Sequence, residues 1–454
     1  MTEILLSKFK KLAFFLYHSL KNDKLLKYIK ETENFRKLPL EKMQLIQLNK
    51  LRNILIYSYQ YVPYYKKIFD KLKINIENIA EDPTSVLKRI PPLEKKDIRD
   101  NFEDLCSVKY RKSDLILDST SGSTGEALFF AYCKESKAYR QAIKVVDLKY
   151  LGYKSFYKKV FLWGIHFGDQ KGLKKVIWNW FNNVIFFPVY YMSDEDLFKY
   201  YQTMKQERAI ILTGYPSALT RLCEFLENNH LRLSNIKVVI TSAETLYPVQ
   251  RELIEKVLKA SVCNRYGSRE FGDIAHQYTK CSKLHVHLNR VYLEILDEDL
   301  NPLPSYETGE IYLTDLDNRG MPFIRYRIGD LASWSDKKCS CGLEEPLLEK
   351  IEGRIFDVVK APNGNRIGGT FWTLLFREYP GIQQFQIYQP SINMLIIRYV
   401  LDKKYTVLPK ESVKHWIEKI KKVCGNNMQI LFEKVEEIPK TKAGKTRIVI
   451  SEVF

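Results

Sequence analysis

Short β-prone runs alternate with helix-like stretches through the middle of this chain. The runs at 159–164, 209–213 and 237–241 are each bounded by turn residues, and helical patterns follow the last two, through Leu226 and over 248–258. Strands that alternate with helices pack as a parallel, doubly wound sheet. Such sheets bind ligands at the loops leaving the carboxyl ends of their strands. We therefore predict an α/β fold whose site lies on those loops.

The pattern divides the 454 residues into three parts, a length that suits two or three domains. Residues 1–95 have the apolar spacing of packed helices and form a helical lead-in to the N-terminal domain. Residues 96–355 contain the alternating segment, and a β-rich subdomain follows from about 284. Residues 356–454 form a separate small α/β unit. We predict a large N-terminal domain of doubly wound mixed sheets with a β-rich subdomain, and a small C-terminal α/β domain.

Composition narrows the class of protein. No apolar stretch reaches the ~18 residues of a membrane span, and the N-terminus lacks a secretory signal. The eight cysteines are mostly single among apolar neighbours, which is typical of reduced thiols in a cytoplasmic protein. The net charge of +18 is spread along the chain, and no recognised nucleic-acid motif accompanies it. Residues 7–30 resemble a basic amphipathic helix, which either lies on the inner membrane face or packs on the protein's own body.

A loop of hydroxyl residues and glycines, Ser-Thr-Ser-Gly-Ser-Thr-Gly at 119–125, follows the first predicted strand. Backbone N–H groups and hydroxyls of such a loop can wrap phosphate oxygens, although a flexible turn has the same composition. The loop has no lysine. Gly444-Lys445-Thr446 mimics the end of a P-loop, but Pro439 stands where that pattern needs a glycine. Because Lys445 has no phosphate-binding loop of its own, we expect its positive charge to act on a site formed by a distant part of the chain.

Three further motifs carry candidate ligands. For each of them the alternative is a purely structural role in a surface turn or salt bridge. Glu270, in the segment 264–272, offers the oxygen ligand that Mg²⁺ prefers. Asp330 follows Gly329 at a predicted strand end, where an acidic residue can bind ribose hydroxyls. Arg354 offers a guanidinium to ribose or phosphate.

In this order and spacing, the motifs and Lys445 resemble those of the adenylate-forming (ANL) enzymes. The nearest branch is the phenylacetate–CoA ligase-like one, which includes CapK-type proteins of capsular polysaccharide biosynthesis. The resemblance covers nearly the whole chain and includes the segments 62–65, 214–217 and 242–244. It implies that ATP and Mg²⁺ activate a small carboxylic acid as an acyl-adenylate, and that the C-terminal domain acts as a mobile lid.

The resemblance also assigns residues. The loop that would hold the β- and γ-phosphates consists of Thr120, Ser121, Gly122, Ser123, Thr124 and Gly125. The residues that would frame the adenine are Ser242, Ala243, Glu244, Tyr266 and Gly267. Asp330 and Arg354 would bind the ribose region. The catalytic residues would be Thr124, Glu270 as the Mg²⁺ ligand, and Lys445, which would bridge the carboxylate and the α-phosphate.

Some features depart from the family pattern or stay open. Glu126 replaces a common loop lysine, and Phe356 stands at the hinge, which puts the lid rotation in doubt. The acceptor is coenzyme A or an amine, such as one on an amino-sugar or glycan. A protein that kept the fold but acts only as a scaffold is the alternative, and a homodimer is one assembly left open. Trp163, Tyr215 and 184–191 line an apolar pocket or belong to the core.

Cys281, His285, Cys339 and Cys341 supply three thiols and an imidazole, a standard set for structural zinc, although Cys-x-Cys is tighter than the usual spacing. Some members of the resembled family hold zinc with a similar pattern, so the resemblance implies a Zn²⁺ site here. His287 is the alternative imidazole because residues two apart on a strand face the same side. His285 is favoured only because it lies closer to Cys281 in the sequence.

Overall fold

The protein is described by a computed structural model. It describes residues 24–120, 128–153, 157–164, 176, 179–189, 192–354, 359–367, 371–372, 375–376, 380–402, 404–439 and 447–453. None of the helices within these ranges is both long and apolar enough to cross a bilayer.

Helices dominate the chain before the first strand. They are α1 Leu25–Phe35, α2 Leu40–Tyr61, α3 Pro63–Lys71, α4 Ile76–Glu81, α5 Pro83–Arg89, α6 Lys95–Asp100 and α7 Phe102–Leu105. Pro63 opens α3, where its missing N–H costs no hydrogen bond, and the Asp82 side chain caps α5. The buried faces of these helices join the largest core cluster, together with strands of the central sheet.

The central sheet has eleven strands among the described residues. They are β3 Lys159–Trp163, β4 Val184–Pro188, β5 Ile211–Gly214, β6 Val238–Ser242, β7 Ser261–Ser268, β8 Gly272–His276, β9 Leu284–Val286, β10 Val291–Leu296, β11 Gly309–Asp315, β12 Tyr326–Ser335 and β13 Leu347–Arg354. Their spatial order is β10-β11-β12-β13-β9-β8-β7-β6-β5-β3-β4. Pairing from β7 to β4 is parallel, and pairing from β7 to β10 is antiparallel.

Helices and a hairpin complete the N-terminal part. The helices are α8 Lys134–Tyr150, α9 Asp194–Gln206, α10 Pro216–Asn228 and α11 Pro248–Leu258, and the hairpin pairs β1 Ile116–Ser119 with β2 Phe129–Tyr132. The predicted α/β class with a mixed sheet is confirmed. The antiparallel strands from β8 onward continue the parallel strands in one sheet, and the β-rich subdomain from about 284 stays a prediction.

The C-terminal part has its own sheet and core. Its elements are β14 Val359–Lys360, β15 Arg366–Ile367, β16 Ile382–Ser391, β17 Met394–Leu401, α12 Lys410–Cys424, β18 Gln429–Lys434 and β19 Val449–Ser451. Four strands pair in the order β18-β17-β16-β19, and the core gathers Trp372, Trp416 and Ile387. Lys445, between β18 and β19, lies outside the described residues. The boundary at 356 stays a prediction.

Candidate functional site

Two tyrosine–carboxylate hydrogen bonds connect β12 to the segment formed by β7 and the turn after it. The Tyr266 hydroxyl on β7 donates to Asp330 Oδ2 at 2.7 Å, and the Tyr326 hydroxyl on β12 donates to Glu270 Oε1 at 3.2 Å. Strand β12 is not a sheet neighbour of β7, so these bonds join strands that lie apart in the sheet order. The structure therefore places the predicted magnesium and ribose carboxylates at one location.

The position of Asp330 differs from the prediction. It lies inside β12 rather than at a strand end. Gly329 before it adopts a φ of 83°, which glycine tolerates, and the β12–β13 register shifts just beyond it, between Leu331 and Ala332. Asp330 pairs across the sheet with Arg354 on β13. The backbone thus brings two predicted ribose residues side by side, and the Arg354 side chain lies outside the described part.

Two buried arginines hold the turn that carries Glu270. Arg140 donates to the carbonyls of Arg269, at 3.1 Å, and of Glu270, while Arg290 Nη2 donates to the carbonyl of Phe271 at 2.9 Å. Asp315, at the end of β11, bonds Arg290 through both oxygens, at 2.9 and 3.1 Å, and lies 3.6 Å from Arg140. Each turn carbonyl therefore has a charged donor, which fixes the turn.

Asp315 is ionised in this setting. Burial alone raises the pKa of its carboxyl group, but the guanidinium groups of Arg290 and Arg140 outweigh burial and hold the pKa below its ordinary value. Arg140, Arg290 and Asp315 were not predicted from the sequence. Only the fold brings together α8, β11 and the turn after β7, so no local motif signals the contact.

The neck of the predicted phosphate loop is closed by hydrogen bonds. The Thr120 N–H donates to the Leu128 carbonyl at 2.9 Å, and Thr120 Oγ1 accepts from the Leu128 N–H at 3.1 Å. Asp118 on β1 lies 3.1 Å from Arg269, so the hairpin base sits beside the Glu270 turn. The rest of the predicted loop lies outside the described residues, namely Ser121, Gly122, Ser123, Thr124 and Gly125. Their roles, like that of Lys445, stay predictions.

The segment predicted to frame adenine follows β6. Ser242 Oγ accepts a hydrogen bond from Arg265 Nε at 3.2 Å, and Ala243 has a left-handed φ of 71°. The Glu244 carboxylate accepts from both the N–H and the Oγ of Ser217, each at 3.0 Å. The two Glu244 bonds tie the loop after β6 to the start of α10, just after β5. Both lie at the carboxyl edge of the parallel strands, where the pattern predicts a site.

Gly267 needs to be glycine for steric reasons, because a Cβ there would lie 2.4 Å from the Gly272 carbonyl oxygen. Trp163 and Tyr215 pack against each other, with ring centroids 4.6 Å apart, and both belong to the core cluster around β3 and β5. Strand β4 covers most of the described part of 184–191. The core alternative therefore fits Trp163 and Tyr215.

The four predicted zinc ligands come together. The ligand atoms of Cys281, His285, Cys339 and Cys341 all lie within 4.8 Å of one another. His285 Nε2 is 3.3 Å from Cys281 Sγ and 3.4 Å from Cys341 Sγ. Burial and the nearby Arg36 lower the pKa of His285 to about 4, so its imidazole is neutral, the form that binds metals. Three thiols and one neutral imidazole fit a four-coordinate zinc ion.

His287, the alternative imidazole, lies elsewhere. Strand β9 ends at Val286, so the two histidines do not share a strand face as predicted. His287 Nδ1 contacts Arg36 at 2.8 Å, and its Nε2 lies 3.4 Å from Asp147. Arg36 also lies 3.2 Å from Glu345, whose other oxygen is 3.9 Å from His285 Nδ1. A buried ionic network thus supports the cluster, in the manner of groups that orient metal ligands.

The family model of the CapK C-terminal domain matches residues 359–452. Protein CapK of Staphylococcus aureus is 25% identical over 404 residues, covering 86% of this chain and 85% of that protein. The phenylacetate–coenzyme A ligase of Thermus thermophilus is 23% identical over 339 residues, covering 71% of this chain and 72% of the ligase.

This chain is similar over most of its length to CapK and to phenylacetate–CoA ligases, and its C-terminal part matches the CapK C-terminal domain model. Solved structures agree on the fold. A 2-hydroxyisobutyryl-CoA ligase in complex with 2-HIB-AMP matches with a TM-score of 0.75 at 18% identity, over 92% of each chain. The amide bond synthetase McbA from Marinactinospora thermotolerans matches with a TM-score of 0.54 at 16% identity, over 75% of this chain and 69% of McbA. The predicted resemblance to CapK-type and phenylacetate–CoA ligase-like proteins is confirmed.

Proposed function

We propose that this chain is an ATP-dependent ligase that activates a carboxylic acid as an acyl-adenylate and then passes the acyl group to an acceptor. The observation that carries the proposal is the pair of hydrogen bonds from Tyr266 to Asp330 and from Tyr326 to Glu270. They bring the carboxylates predicted to bind magnesium and ribose together beside the neck of a Ser/Thr/Gly loop. A scaffold protein without chemistry has no need of such an arrangement.

The proposed first step joins two anions. A carboxylate oxygen of the acid attacks the α-phosphorus of ATP, and the bond to pyrophosphate breaks. In this proposal Thr120 and the loop beyond it hold the phosphates, Asp330 and Arg354 hold the ribose, and Lys445 places a positive charge where negative charge accumulates. A magnesium ion held by Glu270 would neutralise phosphate charge.

The fixed position of Glu270 supports that role. Its carboxylate is buried and accepts from Tyr326, while the Arg140 and Arg290 clamp fixes the backbone of its turn. A ligand oxygen that cannot swing away loses little freedom when it binds a metal ion. The clamp therefore favours a metal-binding role for Glu270 over a surface salt bridge.

In the proposed second step a nucleophile attacks the acyl carbonyl and AMP leaves. The acceptor is the thiol of coenzyme A or an amine. The similarity to phenylacetate–CoA ligases favours coenzyme A as the acceptor, and the similarity to the amide bond synthetase McbA favours an amine. The resemblance of the sequence to capsule-biosynthesis proteins adds an amine on a sugar as a candidate. Product analysis with each acceptor would separate these, because one product is a thioester and the other an amide.

We also propose that Cys281, His285, Cys339 and Cys341 hold a structural zinc ion. Four protein ligands leave no open position for a substrate, so the ion would act on stability and not on the reaction.

The direct experiment is ATP–pyrophosphate exchange with magnesium and a panel of aryl, fatty, amino and dicarboxylic acids. We expect exchange that depends on one class of acid and on magnesium. A folded protein that gives no exchange with any acid would contradict the ligase proposal and favour the scaffold alternative. Reactions without acid and without enzyme are the controls.

A further inference from the structure

Arg269 lies between the two parts of the site that are predicted to contact phosphate. It directly precedes Glu270, the predicted magnesium ligand, in the turn after β7. Its Nη2 is 3.1 Å from Oδ1 of Asp118 on β1, the strand that leads into the predicted phosphate loop. Thr120, which closes the neck of that loop, follows Asp118 by two residues. The Arg269 side chain therefore reaches from the Glu270 turn to the base of the loop.

The predicted phosphate loop has no positive charge of its own. Residues 119–125 contain neither lysine nor arginine, and Glu126, which follows them, adds a negative charge. The structure places the guanidinium of Arg269 at the base of this loop, beside Asp118. A planar guanidinium can donate to two phosphate oxygens at once, and such charge-assisted hydrogen bonds are among the strong ones. The position and the chemistry of Arg269 thus suit a phosphate ligand.

The contact of Arg269 with Asp118 leaves the arginine able to change partners. The side chains of Arg269 and Asp118 are 58% and 27% exposed, and an ion pair in contact with water contributes little to stability. The backbone of Arg269 is held in place, because Arg140 Nη1 donates to its carbonyl oxygen at 3.1 Å. An arginine with an anchored backbone and an exposed side chain can turn toward a ligand without disturbing the fold.

We propose that Arg269 binds the β- and γ-phosphates of ATP, exchanging Asp118 for phosphate oxygens, and so supplies the positive charge that the loop lacks. The inference rests on the proposed function and adds a residue to its ATP site. Asp118 opposes this role, because its carboxylate competes for the guanidinium and repels phosphate. Removal of the Arg269 charge should therefore weaken ATP binding, whereas removal of the Asp118 charge should not.

Equilibrium titration with ATP and magnesium, in the absence of acid, tests this assignment. We expect Arg269→Gln to raise the Kd of ATP by about 10- to 100-fold, the range of hydrogen bonds to a charged group, and to leave that of AMP nearly unchanged. Arg269→Lys keeps the charge but loses the two-pronged contact, so it should bind ATP with intermediate affinity.

Two matched variants separate phosphate binding from a purely structural ion pair. Asp118→Asn keeps the oxygen that accepts from the Ser119 N–H at 2.8 Å, and it should bind ATP at least as tightly as wild type. Arg232→Gln changes an exposed arginine before β6 and should have no effect. Equal losses of ATP affinity in Arg269→Gln and Asp118→Asn would show that the pair only supports the hairpin, and would overturn the assignment. A loss as large for AMP as for ATP would overturn it too.

Pyrophosphate exchange with the same variants distinguishes this inference from the ligase proposal. ATP binding that depends on Arg269, with no exchange by any acid, would support the inference and contradict the ligase. Exchange with a KM for ATP that Arg269→Gln leaves unchanged would overturn the inference while the ligase stands. Absence of both ATP binding and exchange would contradict both. Thermal unfolding shows whether each variant folds, and if Arg269→Gln does not, Arg269→Lys and Asp118→Asn decide.

Discussion

At the residue scale, the ribose carboxylate offers the simplest test of the site. Asp330→Asn keeps the shape of the side chain but removes its charge. We expect KM for ATP to rise by about 10- to 100-fold, because hydrogen bonds to a charged acceptor contribute about 1.5–3 kcal/mol. Asp336→Asn changes an exposed aspartate just past the end of the same strand and should have no effect. Equal KM values for the two variants would remove the role assigned to Asp330.

The buried carboxylate of Asp315 predicts a dependence of stability on pH. Asp315→Asn leaves Arg290 and Arg140 without their common partner, and breaking a buried pair costs about 3 kcal/mol or more. The folded state holds the pKa of Asp315 below its ordinary value. The stabilisation is therefore fully present above pH ~4 and is lost as pH falls through the folded pKa.

Denaturant unfolding of wild type and Asp315→Asn at neutral and at acid pH measures this contribution. The difference in unfolding free energy should be large at neutral pH and should narrow below pH ~4. The exposed Asp299→Asn is the control. A difference that is independent of pH would show that Asp315 acts through packing and not through charge.

Residues with a motif around them could be predicted, and residues defined by long-range contact could not. Glu270 and Asp330 stand in recognisable strings, and the fold brings both together. Arg140 and Asp315 are far apart in the sequence and meet through one turn. Their partners depend on how α8 and β11 pack, which no local spacing encodes.

At the scale of elements, the thiol cluster joins two connections of the central sheet. Cys281 lies between β8 and β9, while Cys339 and Cys341 lie between β12 and β13. We expect about one zinc per chain, since one closed set of four ligands binds one ion. Metal analysis after washing with a weak chelator should show it, and Cys339→Ser should lower it.

Removal of the metal should also lower stability, because metal binding to a site that exists only in the folded chain adds to folding free energy. A strong chelator should reduce the unfolding temperature of wild type but not that of Cys339→Ser. Cys106→Ser, which lies outside the cluster, should behave as wild type. Zinc-free protein of unchanged stability would argue against a structural zinc ion.

Elements with clear periodicity were the predictable ones. The runs around 159, 210 and 238 are strands, and the helix over 248–258 has the predicted bounds. The pairing of His285 with His287 failed because β9 is only three residues long and ends before His287. The end of a strand depends on how far its partner strand pairs with it. Here the pairing partners are Leu347 and Leu348 of β13, and a sequence pattern does not show such pairing.

At the scale of the whole molecule, catalysis in this account depends on a lysine from the C-terminal unit. Lys445→Ala should lower the exchange rate by about 100-fold or more, the size of a lost contact to developing charge. The affinity for ATP should stay nearly unchanged. Lys442→Ala alters a lysine in the same connection and is the matched control. Equal rates for the two variants would exclude the role of Lys445.

The family was predictable because motifs from Ser119 to Lys445 occur in a fixed order, and order is a property of the sequence itself. The arrangement of the motifs in space was not predictable in this way. The central sheet runs without a break from parallel to antiparallel strands, and a hydrogen bond joins Tyr326 on β12 to Glu270 in the turn after β7. The sequence pattern predicted the β-rich part only as a subdomain that begins at about residue 284.

The central claim is that an acyl-adenylate forms, and the fate of one oxygen atom tests it most directly. The carboxylate oxygen that attacks the α-phosphorus stays with AMP when the acyl group leaves. An acid labelled with heavy oxygen in its carboxylate should therefore yield AMP that carries the label, as mass spectrometry can detect. Unlabelled AMP, or ADP with labelled phosphate, would contradict the account.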